Sequence, residues 1–277
     1  MASAANNPLQ KHFRQPALYL KLPSDGKFWP EGSIEMSMAG DIPVYPMTVK
    51  DEITIKTPDA LMNGSGVADV IKSCCPNIID PWAIPVIDID AILLSIRSAS
   101  YGAEMDIDTK CPHCSAENTH ALDLRVLLDN INPPSYDPVT ISNLEFHFKP
   151  QTFKNLNQNN LINYEQQKLI TTINSSELTE EQKLSEFQRM FPKLTDLNID
   201  TLANSIDSVV VDGNPVAERG YIKEFLNNCD RQLYSDIKTQ IEKLNEQTKI
   251  KPIEITCVEC TSPYTTEVTF DQANFFE

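Results

Sequence analysis

Two C-x-x-C pairs, CPHC at 111–114 and CVEC at 257–260, constrain this chain more than any other feature. The turn inside such a pair points both sulfurs the same way, toward a shared centre about 2.3 Å from each. The flanks repeat as well. EMDIDTK precedes the first pair and THALDL follows it, while IEIT precedes the second and TTEVTF follows it. Leu122 and Val268 stand at the same offset past their second cysteine, as do Leu124 and Phe270. Each block therefore reads as strand, knuckle, strand. Two matching hairpins predict one closed, tetrahedral structural zinc site of the ribbon type, ligated by Cys111, Cys114, Cys257 and Cys260. The rival readings are two independent reduced pairs or a thioredoxin-like redox site. The redox motif opens a helix within a β-α-β pattern, and neither pair does. His113 lies inside the first knuckle with its side chain expected to point away, and His120 is expected as a strand residue. Cys74, Cys75 and Cys229 read as small core or part-exposed residues.

Residues 115–256 separate the two pairs, where a compact zinc ribbon has about 15–20. A whole folded insertion must leave the ribbon and return to it, with the metal pinning its base. The expected fold class is α+β: a mixed N-terminal part (1–102), a split zinc-ribbon-like pair of β-hairpins (103–125 with 251–277), and an inserted hairpin and helical lobe (126–250). Within the insertion, NPPSYDP marks a loop and VTISNLEFHFKP alternates as two strands around Ser142–Asn143, with His147 at the surface. Helical periodicity follows. Phe153, Leu156, Leu161, Tyr164 and Leu169 fall near one stripe, and TEEQKLSEFQRMF opens with a capping box of Thr179 and Gln182. A shorter segment spans Thr195–Val210 and DGNP makes a turn. One long helix then carries Tyr221, Phe225, Cys229, Leu233, Ile237, Ile241 and Leu244 at three- and four-residue steps, the stripe of a bundle core or of a groove for a partner helix. Paired Glu and His positions of a di-iron bundle are absent.

The N-terminal hundred residues have a different texture. LYLKLPSDGKFWPEG offers a short strand, a turn, and the Phe28-Trp29-Pro30 group, which reads as core or as interface anchors. GDIPVYPMTVKDEITIKTPDALMNG is extended and Pro-punctuated, able to pack on its own domain or to add a strand to a partner. It ends in a helix that Asp59 helps to start. GVADVIKSCCP is a short helix. PWAIPVIDIDAILLSIRSASYG carries another, with Asp88 as cap, Ile89, Ile92, Leu93 and Ile96 on one face, and Gly102 ending it.

A net charge of −16 with the 23 Lys and Arg scattered disfavours nucleic acid and anionic membrane surfaces, although zinc ribbons often bind nucleic acid. MASAANNPLQKHFRQPALYL has no apolar h-region, so no signal peptide is expected. No apolar run approaches the roughly twenty residues of a membrane span. Seven cysteines, an odd number, argue against a disulfide framework and for the cytosol. There is no P-loop, no G-x-S-x-G, no G-x-G-x-x-G and no H-E-x-x-H. A zinc closed by four cysteines leaves no coordination position for water. No enzyme activity and no catalytic residue are expected.

The succession YLKLPSDGKFW, IPVYPMTVKDEITIKTPDALMNG, VIKSCCPNI and DIDAILLSIRSASYG running into CPHC resembles the T-even-type phage baseplate protein family. Its members are known as baseplate hub assembly proteins or baseplate chaperones of contractile-tailed phages. The resemblance is dense over residues 13–125 and looser beyond. It implies a factor made in the host bacterium's cytoplasm that binds hub or spike proteins during assembly, or else a permanent component of the virion baseplate. It brings no catalytic residue with it.

Overall fold

The computed structural model describes residues 7–57, 64–175 and 195–267. Thr179, Gln182, Asp59, Val268 and Phe270, each given a role above, lie outside them, as does the side chain of Leu169. The architecture is α+β, with helices and small antiparallel sheets.

The first core forms around one helix. Strand β1 (Leu18–Lys21) pairs antiparallel with β2 (Asp41–Val44), and Leu20, Ile42 and Val44 turn inward. Helix α1 (Val49–Ile55) follows directly. Thr48 and Asp51 form its capping box, satisfying two amides that would otherwise lack partners. The stretch DEITIKT is thus largely helical and not an extended arm, and β2 already has a strand partner. Arg14 clamps this region, donating to the carbonyls of Pro46 and Ser73 at 2.6 and 2.7 Å and meeting the Asp51 carboxylate at 3.3 Å. Burial alone would raise the Asp51 pKa, but Thr48, Ser73 and the Arg14 guanidinium hold it below the ordinary value. Helix α2 (Ser65–Cys74) begins after Gly64, whose φ of 71° and tight approach to the Asn157 side chain leave no room for a Cβ.

Helix α3 (Val86–Tyr101) is the axis of this core. The expected apolar face proves too modest: Ile87, Ile89, Ala91, Ile92, Leu93, Leu94 and Ile96 are all buried, so the helix is covered on every side. Asp88 is not its cap, a role that falls to the backbone of Pro85. The Asp88 carboxylate is fully buried. It accepts from the Ser24 amide at 2.8 Å, the Ser24 hydroxyl at 2.5 Å and Trp29 Nε1 at 2.8 Å. A buried carboxylate needs such donors, and here they fasten the 22–30 turn onto the helix. Trp29 packs against the core, while Phe28 stays partly exposed, edge-on to Tyr136 with ring centroids 5.0 Å apart.

The chain leaves α3 at Gly102 for the hairpin β3 (Glu104–Lys110) and β4 (Glu117–Asp123), paired over seven residues each. A short helix missed in the sequence, α4 (Leu124–Asp129), returns Leu124 and Leu127 to the first core.

The second core is a four-stranded antiparallel sheet backed by helices. Its order is β5 (Val139–Ile141), β6 (Leu144–Phe148), β7 (Ile206–Val211) and β8 (Asn214–Val216). The turn Asp212-Gly213, with φ of 51° and 81°, closes a hairpin the sequence analysis took only as a turn. Helix α5 (Phe153–Ser175) and helix α6 (residues 195–204) precede β7. The expected single long helix is two. Helix α7 (Arg219–Asn228) stops at Cys229, and Asp230 caps α8 (Arg231–Thr248) by accepting from the amides of Gln232 and Leu233. Leu233, Ile237, Ile241 and Leu244 pack with Phe146, Phe148, Ile206 and Val209. Tyr221, expected on this stripe, is exposed.

A seam joins the two cores. Val86 donates to the Gln151 carbonyl and Phe153 to that of Ile84, both at 2.8 Å, and the Trp82 and Phe153 rings stack at 5.3 Å. The chain ends in the hairpin β9 (Ile253–Thr256) and β10 (Pro263–Thr266). No helix among the described residues is long and apolar enough to cross a membrane.

Candidate metal centre

Both knuckles are built the same way. The Cys111 amide donates to the Ala116 carbonyl at 2.9 Å, and the Ser115 amide returns to the Cys111 carbonyl at 2.9 Å. In the second, Cys257 donates to Ser262 at 3.1 Å, and Thr261 returns to Cys257 at 3.0 Å. Each turn exits through a left-handed residue, Ser115 at φ 62° and Thr261 at φ 55°. Tight turns of this kind aim both sulfurs of a pair outward along one direction.

The four sulfurs converge. Cys111, Cys114, Cys257 and Cys260 have Sγ atoms within 4.8 Å of one another, and the group includes no histidine. Cys111 and Cys260 approach to 3.7 Å, and Cys114 and Cys257 to 3.6 Å. A tetrahedron with metal–sulfur bonds of about 2.3 Å has edges of about 3.8 Å, whereas a disulfide needs about 2.05 Å. The spacing therefore suits four thiolates around one ion. Cys111 and Cys257 are buried, Cys260 is half-buried and Cys114 faces solvent. A metal could be held here by four cysteines from opposite ends of the chain.

The electrostatics are unequal across the site. Amides of Cys260 and Glu259 point at the Cys257 sulfur and pull its pKa down to about 6. Cys260 is lowered too, chiefly by Ser262. At Cys114 the Ala116 amide pulls down, but partial desolvation beside the other sulfurs and hydrogen bonds with the other three thiols prevail and push it up to about 12. Four thiolates crowded together repel one another, and a divalent cation is what relieves that repulsion.

Two residues that the sequence analysis did not single out lock the hairpins together. Asn118 is buried. Its Oδ1 accepts from the Val258 amide at 2.8 Å and its Nδ2 donates to the Ala116 carbonyl at 3.0 Å, so one side chain braces both knuckles. Tyr264 reaches the other way: its hydroxyl lies 2.7 Å from Thr109 Oγ1 and 3.5 Å from His120 Nε2. Asn118 and Tyr264 stand at the same offset past Cys114 and Cys260. That correspondence, already used for Leu122 and Val268, could have flagged them.

The remaining candidates scatter. His113 is exposed and outside the cluster, and His120 sits in β4 as expected. His147 is partly exposed beside Glu145, 3.0 Å away. Cys74 and Cys75 are fully buried in the first core, and burial pushes the Cys74 thiol up to about 12 and the Cys75 thiol higher still. Cys229 is half-buried at the α7–α8 break.

One family model matches, described as T4 bacteriophage base plate protein, over residues 16–277. The match thus takes in the inserted sheet, its helices and the second knuckle along with the N-terminal part. No curated protein and no solved structure matches the chain.

Proposed function

The chain belongs to the T4 bacteriophage base plate protein family, and from that premise we propose that it is an assembly factor for the baseplate hub of a contractile-tailed phage. It works by protein–protein binding, not by catalysis, in the cytoplasm of the host bacterium. Its partners are hub or spike proteins. The observation that carries this reading is the family match across nearly the whole chain, including the segments that form the four-thiol cluster. In this reading Cys111, Cys114, Cys257 and Cys260 hold one structural Zn2+. The choice of zinc rests on the all-cysteine donor set and its near-tetrahedral spacing. The two hairpins then act as one split ribbon, and the chain between them as an inserted lobe.

Co-purification from infected cells with identification of the bound proteins tests the assignment. A hub or spike subunit should be recovered, and purified virions should contain the chain in substoichiometric amounts or not at all. Recovery of no baseplate protein would refute the reading. The second reading is a permanent component of the baseplate, favoured by the matched family's description as a base plate protein. Stoichiometric copies in virions, counted by mass spectrometry, would select it.

A further inference from the structure

Where the two cores meet, a cleft of about 480 Å³ opens between the start of α3, the 150–151 seam, α5, α6 and the end of α8. That volume lies in the range of roughly 300–1,000 Å³ common to ligand sites. Its lining is mostly neutral: the apolar side chains of Val86, Ile87 and Leu156, and the amides of Asn163, Asn198 and Asn245. Against this stands one carboxylate, that of Asp90. That carboxylate is half-buried and open to the cleft; among the described residues no cation and no hydrogen-bond donor meets it, and partial desolvation pushes its pKa up to about 6. The Tyr136 hydroxyl, in the same lining, is likewise raised by burial alone. The Tyr136 ring is held in place by Phe28. Lys249, the cation at the rim, is already paired with Glu246 at 2.5 Å on the exposed end of α8.

A carboxylate drawn partly out of water without a partner is costly to keep, and the buried Asp88, two residues earlier, shows how this fold satisfies one when the donors are its own. Asp90 faces the cleft without such donors. A guanidinium supplies what is missing. It is planar, always charged, carries five N–H donors that fit a carboxylate side-on, and stacks on an aromatic face. The neighbouring Asn carbonyls would accept the remaining donors. An anionic ligand is disfavoured by Asp90 itself and by the net charge of −16.

We propose that this cleft is a binding site for an arginine side chain presented by a partner protein, with Asp90 as the anchor and Tyr136 as the stacking face. The identity of that partner rests on the baseplate reading above, whereas the recognition chemistry does not.

The test uses the full chain with its metal and the peptide Gly-Gly-Arg-Gly-Gly, against the same peptide carrying neutral citrulline. In NMR titrations the arginine peptide should shift the side-chain amides of Asn163, Asn198 and Asn245 with millimolar affinity, and citrulline should not. Asp90→Asn should weaken binding at least tenfold while circular dichroism stays unchanged, and Glu254→Gln, on strand β9 and outside the cleft lining, should leave affinity as it was. Equal binding of both peptides, no shift in the cleft, or undiminished binding by Asp90→Asn would each overturn the site. In infected cells, Asp90→Asn should lose the co-purifying partner, and its retention would overturn the partner assignment. If the wild-type chain captured no baseplate protein, the baseplate reading would fail, and the peptide titration would still decide the cleft.

Discussion

Removing the metal should free the second hairpin and little else. Residues 253–266 form a two-stranded sheet with no third strand among the described residues, and such a hairpin alone is marginal at best in water. What docks it besides the sulfurs is small. Tyr264 is its main buried apolar side chain outside the cysteines, contributing about 2 kcal/mol. The Asn118–Val258 and Thr109–Tyr264 hydrogen bonds add about 1 kcal/mol each. Some 4 kcal/mol of gross docking corresponds to protection of at most about 10³ at 1.4 kcal/mol per tenfold. With the metal bound, opening is limited by global unfolding, commonly about 5–15 kcal/mol. Chelation, or Cys257→Ser, should therefore speed amide exchange across 253–256 and 263–266, by about fivefold if global stability is about 5 kcal/mol and by about 10⁴ if it is about 10 kcal/mol. Amides of Ile92–Ile96 in the first core should keep their protection. The readout is hydrogen exchange by mass spectrometry, with metal content measured on the same sample. The reasoning fails if the metal-free chain protects this hairpin as well as the loaded one, or if the protein as purified without chelator carries no metal.

Asn118→Ala should lower zinc affinity about tenfold, as loss of an orienting group outside the ligands does, while all four cysteines remain; competition with a chromogenic chelator measures it, and unchanged affinity would remove Asn118 from the site. For Asp90, burial places the folded pKa near 6 and the unfolded value near 3.9. Between those values the folded state holds a proton that the unfolded state has released, so stability falls as pH rises through that window. Asp90→Asn should then exceed the wild type by about 3 kcal/mol at pH 7 and lose most of that advantage by pH 4 in urea titrations. A constant difference would mean that Asp90 finds a partner in solution. Cys74 and Cys75, fully buried with raised pKa values, should resist iodoacetamide in the native state at pH 8 and react only after unfolding. Peptide mapping would show early labelling if the first core were looser than it looks.

The convergence of the four cysteines was legible because its signal is local and doubled: two short motifs with matched flanks need only one long-range assumption, that they meet. The central helix was legible in existence but not in environment, because an apolar stripe of Ile89, Ile92, Leu93 and Ile96 does not say what covers the other sides. Asp88 was misread for a related reason. A carboxylate in a first helical turn is usually explained by its own backbone, and its donors here, Ser24 and Trp29, lie far away in sequence. The second sheet was half missed. VVVDGNPV carries a β-branched run and an Asp-Gly turn, the signature of a hairpin, but it follows a long stretch of helical periodicity and was absorbed into it. Asp230 ended one helix and began another by capping, a signal present in the sequence and outweighed by the continuous stripe on either side.

The sequence made the metal the pin at the base of the insertion, and the fold divides that task. The outgoing chain is held without metal: Leu124, Leu127 and Phe153 enter the first core, and Ile84 and Val86, on either side of the Pro85–Thr152 bridge, take both backbone bonds of the seam. On the metal reading, the described part of the returning chain leans on the four sulfurs instead. After α8, Ile250 and Ile253 touch the first core from partly exposed positions, and beyond them the hairpin has little to bury except Tyr264 and the cysteines. A segment with so small an apolar content cannot offset its own ordering, whereas a tetrahedral ion exchanges four repelling thiolates for four bonds. The four cysteines thus gather where, among the described residues, the second hairpin buries little apart from Tyr264.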